Sequence, residues 1–224
     1  MILFEGVSKK YPIDNVALEN ISFKIGNGEF VFLTGNSGAG KTTILRLLIK
    51  DILPTGGSIF LDDWEINRLP SRQLPYLRRK VSLVFQDFKL LTDRTVAENI
   101  AVTLEIAGKS DKEAWEKILN VLKIVKLENK GNYFPGQLSL GEQQRVAIGR
   151  AIVGDAKILL ADEPTGNLDP KTSWEILKII SDINKMGTTV VMATHNVDIV
   201  NSLKKRVIML KDGKIVKDEK KSRY

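Results

Sequence analysis

The sequence predicts an α/β fold with a mainly parallel core sheet, an N-terminal antiparallel β layer beside it, and a helical segment inserted into its middle. Three observations carry this. The apolar run Phe30-Val31-Phe32-Leu33 enters a glycine-rich loop and then a helical pattern, Ile44 to Ile49. Two further short apolar runs, Lys157 to Ala161 and Thr188 to Ala193, have the character of buried parallel strands and are separated by a helical stretch. From about Asp87 to Gln137 the apolar spacing changes to steps of three and four.

Residues 2 to 34 alternate as half-buried strands do, in Ile2-Leu3-Phe4 and Ile21-Ser22-Phe23-Lys24-Ile25, with the turn Gly26-Asn27-Gly28 before the strand that feeds the loop. Tyr11 falls between the first strands, where an aromatic face serves either as a stacking platform for a base or as plain surface packing. Gly35, Asn36, Ser37, Gly38, Ala39, Gly40, Lys41, Thr42 and Thr43 then form a strand-to-helix loop of the kind that cradles a triphosphate. Its glycines let backbone N–H groups turn inward, and the helix N-terminus adds partial positive charge. Lys41 can reach the β- and γ-phosphates of ATP, and the Thr42 hydroxyl can ligate Mg²⁺.

Pro54 to Gly57 reads as a turn and Ser58 to Leu61 as a strand closed by Asp62-Asp63. A basic amphipathic stretch follows, with Arg68, Arg72, Arg78, Arg79 and Lys80. The run Val81 to Phe85 ends at Gln86, at the strand end where open α/β sheets bind ligands. Helices are expected over Thr95 to Ala107 and Lys112 to Val125, the second opened by a Ser110/Glu113 capping box, with Trp115, Ile118, Leu119 and Leu122 as its core stripe. The expected organisation is one domain over 1–224, with core and β layer at 1–86 and 154–224 and a helical subdomain at about 87–153.

Leu138-Ser139-Leu140-Gly141-Glu142 opens a helix running to about Val153. Ser139 and Glu142 stand at capping-box spacing, and the same helix N-terminus with a serine hydroxyl is a second anion site, separate from the first. One ATP does not easily occupy both within one subunit. The run at 157–161 terminates in Asp162-Glu163, adjacent carboxylates that are unfavourable at the mouth of a buried strand unless they meet a cation. Asp162 suits Mg²⁺ through water and Glu163 suits an attacking water. Pro164 to Pro170 is a loop, and a helix continues to about Asn184. Beyond the next strand stands His195, the only histidine, again past a strand end. Val207 to Leu210 and Lys214 to Val216 finish as a hairpin across Asp212-Gly213.

The chain has 224 residues, no cysteine and a net charge of +7, so neither disulfides nor thiolate metal sites enter. Met1 to Glu5 does not read as a secretion signal, and no apolar run approaches bilayer length, which leaves a membrane link to a partner or the surface. Residues 211–224 hold five lysines and one arginine against three acids. Without interleaved aromatics or a nucleic-acid motif, this basic tail points to acidic lipid and no nucleic acid is expected.

With the cradle, Gln86, the Ser139 stretch, Asp162-Glu163, the Asn167-Leu168-Asp169 loop and His195 in this order, the chain resembles the nucleotide-binding subunits of ABC ATPases, a branch of the P-loop NTPases, over essentially its whole length. The nearest approach to a GTPase base-reading motif, Asn184 to Gly187, lacks its aspartate. The segments Val84 to Leu91, Thr95 to Asn99 and Ala161 to Asp169 resemble the FtsE subgroup, whose members pair with the membrane protein FtsX in bacterial cell division. Glu163 to Asp169 is shared with lipoprotein-release and macrolide-export ATPases. Leu140 stands where such families usually carry the first glycine of Leu-Ser-Gly-Gly.

The resemblance implies ATP hydrolysis with ATP and Mg²⁺, Tyr11 against the base, Glu163 polarising water, His195 touching the γ-phosphate, and Lys41 offsetting charge. It implies Thr42, Gln86 and Asp162 around Mg²⁺, and Gln86 joining sheet to helical subdomain. Ser139, Gly141 and Glu142 would cap ATP held by a second copy, and Asn167 and Asp169 would reach across this ATP-dependent homodimer. An FtsX-like integral membrane protein is the implied partner, with the chain peripheral at the cytoplasmic face of the plasma membrane. The alternatives are an exporter ATPase or a soluble nucleic-acid- or ribosome-associated ATPase; the coiled coils and fused cassettes typical of the latter are absent from this sequence.

Overall fold

The structure, a computed structural model, describes residues 1–12 and 15–220. The chain opens with β1 (Ile2–Tyr11) and β2 (Asn15–Ile25), followed by β3 (Phe30–Thr34), α1 (Lys41–Leu48), β4 (Gly56–Leu61) and β5 (Trp64–Glu65). The basic stretch forms two short 3₁₀ turns and α2 (Leu74–Lys80), which leads into β6 (Val81–Val84). Then come α3 (Val96–Ile106), α4 (Asp111–Ile124), α5 (Leu140–Ile152), β7 (Ile158–Asp162), α6 (Pro170–Lys185), β8 (Thr189–Ala193), α7 (Val197–Leu203), β9 (Arg206–Lys211) and β10 (Lys214–Glu219).

Two sheets form. One has the order β2-β1-β4-β5, antiparallel throughout; the other has the order β10-β9-β3-β8-β7-β6, parallel except for the edge strand β10. The expectation of one antiparallel layer over residues 2 to 34 is corrected at β3, which leaves its neighbours in sequence and pairs in parallel with β8 and β9. Its five residues are all buried, as a central parallel strand requires, whereas β1 and β2 keep a wet face.

Strand period divides the core in two. Phe30, Phe32, Leu159, Ala161, Val190 and Met192 face a cluster built with α3, α4, α5 and α6. Val31, Leu33, Ile158, Leu160, Val191 and Ala193 face the other, where α1 lies between the parallel sheet and the antiparallel one. The phosphate-loop helix is therefore fixed from both sides, while the stretch after β6 packs on the opposite face.

Two expectations within that stretch fail. Ser110 has N-cap backbone angles but its side chain makes no capping bond, whereas Thr95 and Glu98 form a full capping box that the sequence reading passed over. In the apolar stripe of α4, Ile118 and Leu122 are buried, but Trp115 and Leu119 are 54% and 43% exposed. The buried line runs instead through Ile118, Val121, Leu122 and Val125. The expected basic tail lies partly outside the described residues, which end at 220. No helix among them is long and apolar enough to cross a membrane.

Candidate active site

The cradle is shaped by glycines whose replacement the surrounding backbone forbids. Gly35 has φ 137°, and a Cβ there would overlap the Leu210 carbonyl of β9; Gly40 has φ 106°, and a Cβ there would sit 2.6 Å from the Ala17 oxygen. Only a residue without a side chain fits both demands. Lys41 opens α1 with its side chain buried, donating from Nζ to Gly35 O at 2.7 Å and to Asn36 O at 3.1 Å. Its ammonium thus stands in the loop's own mouth, 4.0 Å from Glu163 Oε1.

Facing it are the ends of β7 and β8. Parallel register sets Ala161 beside Met192 and Asp162 beside Ala193, so the residues that follow emerge together. The Thr42 hydroxyl donates to Asp162 Oδ1 at 3.2 Å, and His195 Nδ1 lies 2.8 Å from Glu163 Oε1. Glu163 adopts φ 45°, in the left-handed region, and its N–H donates to Ala193 O at 3.0 Å.

These groups line a cleft of about 780 Å³ together with Asn36, Ser37, Gly38, Thr43 and Gln86. Burial pushes the Asp162 carboxyl above its usual range, with the Glu163 charge adding to the effect and the Thr42 hydrogen bond and Lys41 opposing it. A buried carboxylate held in this way favours a cation beside it. The donor set, a hydroxyl and a carboxylate oxygen with a glutamine amide on the same wall, suits a hard oxygen-seeking ion such as Mg²⁺ that keeps several waters and borrows phosphate ligands. Val197, at the start of α7, also lines the cleft. The sequence reading missed this seven-residue helix, whose one local signal is Asn196, an N-cap accepting from Asp198 N and Ile199 N.

The remaining expected site residues lie elsewhere. Tyr11 ends β1, paired with Asn15, so it is a strand residue and not a loop residue; its ring has Lys9 Nζ at 5.1 Å from its centroid and does not line the cleft. Ser139 caps α5 in a reciprocal box with Glu142, whose carboxylate also accepts from Lys130 at 2.6 Å; chiefly that bond, with the cap, holds it below its usual pKa. Gly141 is tight against α6, where a Cβ would overlap Thr172 Cγ2, while Leu140 beside it is 52% exposed. Asp169 caps α6 by accepting from Thr172 N at 3.0 Å, and Asn167 lies in the exposed loop before it. None of Ser139, Gly141, Glu142, Asn167 or Asp169 lines the cleft.

Comparison with known proteins gives the family of the chain. The family model described as ABC transporter matches residues 18–166. The cell division ATP-binding protein FtsE of Bacillus subtilis is 49% identical over 224 residues, which is 100% of this chain and 98% of the relative. FtsE of Mycobacterium tuberculosis is 47% identical over 225 residues, covering 100% of this chain and 98% of that protein. Among solved structures, the dimeric, post-hydrolysis ATP-binding cassette MJ0796 bound to ADP and Pi superposes with a TM-score of 0.90 at 36% identity, over 100% of both chains. A nucleotide cleft at the ends of parallel strands, a capped helix apart from it and end-to-end similarity lead to one conclusion: the chain belongs to the ABC transporter family, as an ABC ATPase.

Proposed function

We propose that this chain is the ATPase subunit of a membrane-associated cell-division complex, in which two copies close on ATP and hydrolysis lets them part. The cycle is passed to an FtsX-like integral membrane partner and through it to control of cell-wall hydrolysis. The observation that carries the reading is the separation of two half-sites in one protomer: Lys41, Asp162, Glu163 and His195 share a cleft, and the capped N-terminus at Ser139 is outside it. A triphosphate in the cleft of one copy is completed by Ser139 and Gly141 of the other, so nucleotide becomes part of the interface. The FtsE names of the relatives supply the cell-division context. The chain would then sit peripherally at the cytoplasmic face of the membrane.

The chemistry follows from positions. Lys41 leaves the loop carbonyls for the β- and γ-phosphates, and Glu163, released from Lys41, orients and polarises the attacking water. His195 is hydrogen-bonded to Glu163 and thereby fixes the carboxylate's direction before the phosphate arrives. Bound Mg²⁺, held by Thr42, Asp162 and Gln86, would neutralise charge on the phosphate oxygens. Closure performs work only to the extent that ATP binds the closed pair more tightly than the open one.

Glu163→Gln tests this. The variant is expected to bind ATP normally, hydrolyse it about 10²- to 10⁴-fold more slowly, and accumulate as a dimer with Mg-ATP and its membrane partner in size-exclusion chromatography with light scattering. A monomer at saturating Mg-ATP, with or without partner, rejects the reading.

A further inference from the structure

The loop between β6 and α3 carries Gln86 near its start and contains two consecutive non-glycine residues in left-handed backbone, Phe88 at φ 58° and Lys89 at φ 50°. Such residues are each disfavoured by about 1–2 kcal/mol and persist only when something outside the loop holds them. The holder is Arg150. Its guanidinium donates from NH2 to Phe88 O and from NH1 to Lys89 O, both at 2.7 Å. The fork of a guanidinium matches two neighbouring carbonyls as no other side chain does.

This arrangement is a poor device for stability alone. Burial lowers the pKa of Arg150, and no carboxylate among the described residues forms an ion pair with it. A cation withdrawn from water with neutral partners carries a desolvation penalty that a surface location avoids. The far end of the same loop is fixed separately by Asn99 of α3, fully buried, which accepts from Leu91 N and donates to Leu91 O, Arg94 O and Thr95 O. Between these anchors the Gln86 side chain has no hydrogen bond among the described residues and faces the cleft.

Arg150 lies on α5, eleven residues after Ser139, about 16 Å along the same helix. We infer that Arg150 is a positioning residue for hydrolysis: it ties α5 to the backbone of the Gln86 loop, so that displacement of the Ser139 end is delivered to Gln86 in the cleft. A second bond, from Thr103 Oγ1 to Arg150 O at 3.1 Å, keeps α3 and α5 moving together. The inference rests on Gln86 acting at the Mg²⁺ and γ-phosphate.

The test is a double-mutant cycle on the full chain with Gln86→Ala and Arg150→Met, reading turnover at saturating ATP and ATP affinity separately. Arg150→Met is expected to lower kcat about tenfold with ATP affinity within about twofold of wild type, and the double variant is expected to match Gln86→Ala within about twofold. Arg150→Lys, able to reach one carbonyl but not both, is expected to fall between, and it serves in the same cycle if the methionine variant does not fold. Slow Gln86→Ala with normal turnover in the Arg150 variants, or losses that multiply, overturns the tether while leaving the Gln86 assignment standing. Wild-type turnover in Gln86→Ala overturns that assignment and the tether with it.

Discussion

The nucleotide cleft and the N-terminus of α5 both stand at the start of a helix, but they are built by opposite means. In the cleft, glycines at 35 and 40 are dictated by backbone pressing from Leu210 and Ala17, and Gln86, Asp162 with Glu163, and His195 converge on Lys41 from the ends of β6, β7 and β8. At α5 the capping box of Ser139 and Glu142 already satisfies the helix end, and the neighbouring Leu140 projects to solvent. The first region gathers its phosphate-facing groups within one copy; the second, in the proposed pair, offers its helix end to the other. Binding and turnover should therefore separate cleanly between them.

The sharpest way to break the comparison is Gly40→Val, which sets a branched side chain against Ala17 and Leu18 at a left-handed position. ATP affinity, read by equilibrium dialysis, should fall at least about 100-fold; near-normal binding would mean that the loop's shape is not imposed by its surroundings. Asp162→Asn comes next. Turnover should drop by about 10²-fold, while the thermal midpoint without Mg²⁺ at pH 7 should hold or rise. The sign follows from a carboxyl whose folded pKa is raised: the folded state holds the proton more tightly, so stability is withheld at neutral pH and returns as pH falls through the raised value. The asparagine variant should lose that pH dependence.

On the α5 side the effects should be smaller and should spare binding. Gly141→Ala drives a methyl into Thr172 and should lower stability by about 1–3 kcal/mol, with single-copy ATP affinity within about twofold. Ser139→Ala removes a cap and should lower stability by about 1 kcal/mol, again reducing turnover but not binding. Leu140→Gly, at an exposed first helical position, should change stability by less than about 1 kcal/mol; a large loss of ATP affinity from any of the three would end the division of labour.

Legibility in the sequence followed the range of the forces involved. The cradle was readable because strand, glycines, lysine and threonine are contiguous, and Asp162, Glu163 and His195 because short apolar runs mark buried strand ends. Three-and-four spacing on α4 marks the helix but not which flank its neighbours cover, so Trp115 and Leu119, expected in the core, stand exposed. Ser110 and Thr95 carry the same capping pattern, and only tertiary placement of the chain decides that Thr95 closes its box. Asp169 met a local need first, as the cap of α6. The Arg150 bridge spans 61 and 62 residues of sequence and leaves no local trace.

Glu163 departs from the extended backbone of β7 into a conformation that glycine and asparagine accept far more readily than glutamate. The residue proposed to orient the attacking water is thus one the chain would fold more comfortably without. Selection for thermal robustness alone would drift toward inert sequences at this position, so any stabilising screen of this protein needs phosphate release as a concurrent criterion.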